Sequence, residues 1–447
     1  MRKHFYISLL IFLLGATELI AQTHPSHEDT IRRKDWRVID SLTYQTQTGL
    51  PIAASKIYFT DRKFAFSGFG EAAFIHYDGP KDRGSEDIEL YMTSLYRFVS
   101  YLAYKPKPWL VLYGELFFEY FRDQGIESDT ELFVEVFADF LLDPRFNVRV
   151  GTHQVQIGYV NNHDEPIQFF SVNRPDVERI IIPSQWIDLG IMTYGAIGED
   201  WSWSLSAYQG LNARNYNGGT WIRRGRDDEL RFNFNSMLLN SQISYSGFQN
   251  TLINVSGLYT DAGNNEELSP MIGMPERINA PTYLVSSFVR NEWENFTFML
   301  LGTYGRMNNT DGIYRLTAAE QMDPLGGQVL GREVFGYYLE VGYDLMPFFR
   351  NRDMLKGKST FYYRPQEVML PLFFRYEHLN THASVHPDLL DFERFQSDLR
   401  VLTVGANFNP RRNVVLKTNY QFRWNRQPLS TGESEGNRFE FGFGFIF

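Results

Sequence analysis

The chain has 447 residues, with 43 Lys and Arg against 53 Asp and Glu and a formal net charge of −10. That acidic balance argues against a general nucleic-acid surface, which needs a basic footprint. Zero cysteines exclude a disulfide framework, thiolate metal sites, a cysteine nucleophile and a lipid-bearing N-terminal Cys. Aromatic residues make up 16% of the chain while the mean hydropathy is only −0.33, so rings and polar groups must be interleaved rather than segregated.

Arg2, Lys3 and His4 precede an apolar run from Phe5 to Leu14, and a small-residue stretch ends at Ala21. This pattern predicts a secretory signal peptide over residues 1–21. The run is too short to span a bilayer, and no other stretch is apolar for the roughly 18 residues a transmembrane helix needs. Residues 22–62 are polar and charged without a compelling period. They are read as a periplasmic N-terminal segment, with a tail, a plug fragment and disorder all left open.

From Lys63 to the C-terminus one unit recurs: about ten residues alternating apolar with polar or small, then a turn or loop. In Phe439–Phe447 every odd position is Phe, so five rings share one face and Glu440, Gly442 and Gly444 the other. Leu416, Thr418, Tyr420, Phe422 and Trp424 oppose Lys417, Asn419, Gln421 and Arg423 in the same way. Leu132, Val134, Val136 and Phe140 oppose Glu135 and Asp139. A helix would scatter residues two apart onto opposite sides. Sixteen strands are expected, beginning near Phe64, Ile88, Trp109, Glu131, Phe146, Trp186, Trp201, Ser236, Thr251, Thr282, Phe296, Glu333, Val368, Asp398, Asn413 and Asn437. Short connections such as Leu142–Arg145 and Phe408–Arg412 alternate with long ones such as Arg122–Thr130, Gln156–Gln185 and Leu211–Asn235. Met346–Glu367 breaks the rule; a helix or an extra hairpin is expected there, and the hairpin would raise the count to eighteen.

A sandwich needs no aromatic belt, and a propeller needs a blade repeat that this sequence lacks. An even number of alternating strands, joined by short turns on one side and long loops on the other, describes an antiparallel transmembrane β-barrel. Closure leaves no strand edge unpaired in hydrocarbon. The fold class is therefore all-β, a barrel over residues 63–447 with both termini periplasmic. Trp109, Trp201, Trp293 and Trp424 sit at strand ends, where an interfacial girdle would lie.

Over residues 60–447 the chain resembles bacterial outer-membrane porins in its sixteen-strand pattern and in the terminal Phe447 that ends an aromatic-alternating strand. The stretch Phe169-Phe170-Ser171-Val172-Asn173-Arg174-Pro175-Asp176-Val177-Glu178-Arg179 is similar to the phosphate-selective porin group. The resemblance implies a water-filled channel in the outer membrane for passive diffusion of small hydrophilic solutes or ions, phosphate and other anions among them. It implies no cofactor. It implies a homotrimer surrounded by outer-membrane lipid, and Phe447 as the assembly signal read by the barrel assembly machinery. It further implies that the third long connection, Gln156–Gln185, folds back and narrows the barrel.

That connection carries Asp164, Glu165, Arg174, Asp176, Glu178 and Arg179, and charges facing one another across a constriction filter solutes. The alternative is an external loop facing solvent. The fourth loop holds Arg214, Arg223, Arg224, Arg226 and Arg231 beside Asp227, Asp228 and Glu229, and arginine suits carboxylate and phosphate. By parity Arg375, Lys417 and Arg423 face the lumen, as do Glu115, Glu119, Glu135, Asp139, Glu340, Asp344 and Glu377. The second set is larger, so a cation-favouring or mixed pore is as well supported by these residues as an anion pore.

No enzyme is read. His382 and His386 have an i, i+4 spacing but are expected in a loop, without the Glu of a zinc-protease motif. No G-x-S-x-G occurs. Gly68-Phe69-Gly70-Glu71-Ala72-Ala73 fits a dinucleotide fingerprint only formally, since it lies inside an alternating strand. The reading from another class is a non-transporting barrel whose long loops bind a surface partner, and inward Phe117, Phe133, Phe137 and Tyr338 keep it alive.

Overall fold

Alternation of side chains along the strands decides the architecture. The computed structural model describes residues 42, 44–81, 83, 87–226, 237–263, 266–267, 277–323, 325–349, 363–392, 397–426 and 436–447. The expected signal peptide and Asp227, Asp228, Glu229 and Arg231 lie outside the described residues, as does 350–362.

Sixteen strands close into one antiparallel barrel. They are β1 (Phe64–Asp78), β2 (Ser94–Lys107), β3 (Leu110–Asp123), β4 (Glu127–Asp143), β5 (Phe146–Gln154), β6 (Ile187–Ile197), β7 (Trp201–Gln209), β8 (Met237–Tyr245) and β9 (Thr251–Asp261). After a separate pair of two-residue strands, β10 (Glu266–Glu267) and β11 (Arg277–Ile278), follow β12 (Pro281–Trp293), β13 (Phe296–Met307), β14 (Glu333–Asp344), β15 (Pro371–Ser384), β16 (Asp398–Arg411), β17 (Val414–Asn425) and β18 (Asn437–Ile446). Each barrel strand pairs with its sequence neighbours, β9 with β12, and β1 closes on β18 with Phe69 opposite Ile446 and Asp78 opposite Asn437. Phe447 completes the seam, its N–H donating to the Gly68 carbonyl at 2.9 Å and its carbonyl accepting from the Gly68 N–H at 3.1 Å.

Outward positions are apolar and exposed: Phe66, Phe98, Leu112, Val136, Leu205, Val255, Leu300, Phe374 and Phe441 among them. Rings crowd the ends of this belt. Phe64 stacks on Tyr104 at 4.5 Å, Trp201 lies 4.6 Å from Tyr245 and Phe296 lies 4.5 Å from Tyr343, all beside short turns. Trp424 stacks on Phe422 at the other end. No described helix is long and apolar enough to cross a membrane.

Four expectations need correction. The strand expected at Ile88 starts at Ser94, because Asp87 caps a four-residue helix, α1 (Ile88–Tyr91), by accepting from the Glu89 N–H, and pairing with β1 begins only at Phe74–Ser94. Arg122–Thr130 is not a long loop: Gln124 and Gly125 take positive φ (45° and 78°), so a three-residue turn lets Asp123 pair with Glu127. The eighteen-strand alternative falls, since the ring closes at sixteen and the described part of the 346–367 connection shows a helix, Met346–Phe349. The strand expected at Val368 begins at Pro371, preceded by a single bridge between Met369 and Asn409.

Candidate functional site

The connection from β5 to β6 turns inward and crosses the lumen. Tyr159, Val160, Val177 and Ile180–Ile182 pack with Leu238, Leu258, Leu284, Phe288 and Leu301 on β8, β9, β12 and β13. Its tip lies against the opposite wall. Lys417 donates to the carbonyls of Phe169 (2.8 Å) and Ser171 (2.9 Å), and the Val172 N–H donates to Asn419 (2.8 Å). Asn173 and Asn419 each donate to Glu440 at 2.8 Å. Glycines at lumen positions permit this approach. A Cβ on Gly444 would stand 2.4 Å from Pro166, and one on Gly342 would stand 2.4 Å from the ring of Phe170.

The six loop residues singled out from the sequence are all buried inside the barrel, in two roles. Four are anchored. Both Glu165 oxygens accept backbone N–H groups, Ala53 at 2.6 Å and Ile52 at 3.1 Å. Asp176 binds Arg423 and Arg179, the latter at 3.1 Å. Arg179 also donates to the Glu89 carbonyl. Glu178 accepts from the N–H groups of Tyr159 and Val160 and from the Tyr338 hydroxyl, each at 2.7 Å. The other two make no hydrogen bond to the wall among the described residues. Asp164 Oδ1 and all three guanidinium nitrogens of Arg174 lack a hydrogen-bond partner among the described residues, although Arg174 stands 3.8 Å from Glu89.

Burial sets the proton affinities of this loop. It pushes Glu165 up to about 8, Glu178 to about 7 and Asp164 to about 6, the last against the pull of Arg174 and Arg97. Burial acts on Asp176 too, but Arg423, Arg438 and Arg179 overcome it and hold that carboxyl well below the usual range. Arg174 is drawn down to about 10 by burial, with Arg97 adding to the effect.

The basic candidates are largely spoken for. Arg375 binds Glu377 (2.8 Å), Glu340 (3.0 Å) and the Ser171 hydroxyl. Arg223 binds Asp87 (2.6 Å) and Glu89, and Arg226 donates to the carbonyls of Ser184 (2.9 Å) and Gln185 (3.3 Å). Arg224 is half-buried on the turn beside them. Asp344, expected in the lumen, instead caps the turn at its strand end by accepting from the N–H groups of Met346 and Leu370. His382 is not in a loop. It lies near the end of β15 with its ring nitrogens against Thr381 Oγ1 (2.9 Å) and the Val329 carbonyl (2.8 Å), which uses both.

The lumen has a second occupant, from the segment for which a tail, a plug fragment and disorder were all open. Residues 44–59 enter the short-turn end and carry a 3-10 helix over Ala54–Phe59. Gln47 donates to Tyr194 (2.9 Å), Tyr58 donates to Asp139 (2.6 Å) and Ser67 of β1 donates to the Ala53 carbonyl (2.6 Å). Buried Leu50, Ala53 and Ile57, set among polar neighbours, are the weak sequence signal for it. At the other end Trp221 and Ile222 fold inward with Ile313 and Leu316 of a second helix, α2 (Thr310–Glu320).

No known protein-family profile matches the chain. A protein of Aquifex aeolicus (strain VF5), described as uncharacterized, is 25% identical over 385 residues, covering 84% of this chain and 79% of its own. Among solved structures, OmpF of Salmonella typhi in complex with daunomycin aligns with a TM-score of 0.51 at 10% identity, covering 86% of this chain and 97% of that one. The outer membrane channel DcaP of Acinetobacter baumannii aligns with the same TM-score, identity and coverage. At such identity the likeness is one of fold. With its closed ring of sixteen strands and its apolar belt, the chain shares the porin β-barrel fold of those structures.

Proposed function

We propose that the chain forms a narrow passive channel for small hydrophilic solutes across the outer membrane, with the 156–185 connection as its constriction and both termini in the periplasm. The observation that carries this reading is a seam of buried polar atoms between the inward connection and strands β2–β5. Tyr101 and Tyr113 hydroxyls, both oxygens of Glu135, Arg149 Nη1, Asp164 Oδ1 and the Arg174 guanidinium have no hydrogen-bond partner among the described residues. Buried polar groups left unpaired cost several kcal/mol by transfer arguments, so native proteins pair them with protein or water. Such groups call for water, and a hydrated seam between the connection and the wall would pass small solutes. Asp164 and Arg174 would then meet the solute, while Glu165, Asp176, Glu178 and Arg179 hold the loop in place. Mechanistically this is electrodiffusion through facing charges, with no energy coupling.

The anion preference implied by the resemblance draws little support here, because Arg223, Arg375 and Arg423 are ion-paired. Export through a signal peptide over 1–21, recognition of Phe447 by the assembly machinery and a homotrimer belong to the same reading. Single-channel recording of the purified protein in a planar bilayer tests it: discrete current steps are expected. A second reading is favoured by the buried bulk of Phe69, Phe117, Phe137 and Tyr338 and by residues 44–59 in the short-turn end. It is a non-transporting barrel whose outer loops bind a surface partner, and a folded barrel without steps would select it.

A further inference from the structure

The register of one hairpin sets carboxylates face to face. On β3 and β4 the directly opposed pairs are Asp123 with Glu127, Glu119 with Glu131 and Glu115 with Glu135, and Asp139 continues the series opposite Val111. A four-residue period keeps one face of a strand, so these rungs stand about 13 Å apart along the wall. Like charges directly opposed are unfavourable, and nothing in strand pairing calls for three such pairs in a row.

The rungs differ in what answers their charge. At the long-loop end Asp123 is held by Lys81 and Arg83, and the next rung has Arg97 and Gln185 on Glu119. Toward the short-turn end Asp139 has Arg149 at 2.9 Å and the hydroxyls of Tyr58 and Tyr194. At the middle rung Arg149 acts on Glu135 only through space, and both oxygens of Glu135, itself 1% exposed, have no hydrogen-bond partner beyond Glu115 across the pair. Asp164 enters from the inward connection within electrostatic reach of both Glu115 and Glu135, adding a third carboxylate.

A second observation points to a ligand. Tyr101 pairs directly with Glu115 across β2 and β3, and Tyr113 precedes Glu115 by two residues on the same face. Both tyrosines are 2% exposed, and both hydroxyls lack a partner although carboxylates surround them. A hydroxyl beside carboxylates would ordinarily donate to one. Unpaired, its lone pairs remain free to accept water or to face a cation.

We propose that Glu115, Glu135 and Asp164, with the hydroxyls of Tyr101 and Tyr113, form a cation station midway along an acidic ladder on β3 and β4. The proposal rests on the channel reading and deepens it: the permeant class is the small inorganic cation. No three acidic or His side chains among the described residues converge as a bare metal ion requires. The station therefore takes an ion that keeps part of its water shell, which suits passage more than retention.

The test uses the mature full-length protein in planar bilayers under a KCl gradient. The wild type should reverse toward the potassium potential, and E115Q/E135Q should lower the K+ over Cl− preference by a factor of about three. D164N, which leaves the strands untouched, should shift it in the same direction, while D388N on an exposed outer turn should not. Reversal toward chloride, or an unchanged preference in E115Q/E135Q and D164N, overturns the station and leaves the channel reading standing. If no steps appear, the channel reading falls and Tb3+ decides the station alone. Tyrosine-sensitised Tb3+ luminescence that E115Q/E135Q abolishes and D388N preserves upholds it. No sensitised signal, or one indifferent to E115Q/E135Q, shows that the acids share a proton between them and overturns it.

Discussion

Strands β7, β8, β9, β12 and β13 face the lumen with Leu238, Leu258, Leu284, Phe288 and Leu301, interspersed with Ser204, Ser206, Asn240, Asn254 and Ser256. Strands β1–β5 and β14–β18 face it with Glu71, Arg97, Glu119, Arg149, Glu340, Arg375, Lys417, Arg423 and Glu440. The 156–185 connection matches both, giving its aliphatic side to the first wall and its carbonyls, amides and charges to the second. The first wall attaches the loop mainly by area, with Asn240 donating to the Gln156 carbonyl at 3.0 Å. The second attaches it by geometry, and there the unpaired charged groups Glu135 and Arg149 join the unpaired hydroxyls and amides found on both walls. The contrast divides the lumen into a mainly apolar wall and a charged one, and the proposed channel runs along the charged wall.

The largest effect should come from the charged wall. Arg375→Met leaves Glu340 and Glu377 buried without their cation, at a cost of about 3–5 kcal/mol, read as a lower urea midpoint in lipid vesicles. Because the two carboxyls can take protons instead, that loss should shrink at acid pH. Leu301→Ala on the other wall should cost about 2–5 kcal/mol with no such pH dependence. If the two losses respond alike to pH, the division between the walls is wrong. Gly444→Val, which drives a side chain into Pro166, should cost about 1–3 kcal/mol and expose the connection to protease.

Smaller effects sharpen the contrast. Glu178 and Glu165 hold their protons up to about 7 and about 8 in the folded chain, above the ordinary 4.5. The folded state therefore binds more protons than the unfolded one between 4.5 and those values. Their contribution to stability is full below 4.5 and is lost as pH rises through about 7 and then about 8. A melting temperature that falls across that window, less so in Glu165→Gln, is the expected result. E115Q/E135Q removes opposed like charges and should raise stability by about 0.2–1 kcal/mol, the smallest change here.

The period-2 pattern made the barrel legible. Most strand starts fell within a few residues of their place, because each strand meets lipid on one face and the lumen on the other. Ile88 misled because Ile88, Leu90 and Met92 alternate as a strand does, while the Asp87 cap that makes a turn of helix is a single residue. Of the site, the six loop charges and the lumen parity of Glu115, Glu119, Glu135 and Asp139 were readable. Their face-to-face pairing was hidden by the turn at Gln124–Gly125, whose length fixes the register. Residues 44–59 carried too few apolar positions to announce a buried segment. Gly342 and Gly444 were a signal passed over: small residues at lumen positions on two separate strands mark where another piece of backbone comes close.

The chain has no cysteine, so a single introduced thiol reports on one place. Recording single channels of Asp164→Cys before and after a positively charged methanethiosulfonate reagent addresses the wet seam directly. The account predicts discrete steps that the reagent reduces from within the lumen, with wild-type steps unaffected. Steps that ignore the reagent, although mass spectrometry shows the thiol modified, would contradict conduction along the 156–185 seam.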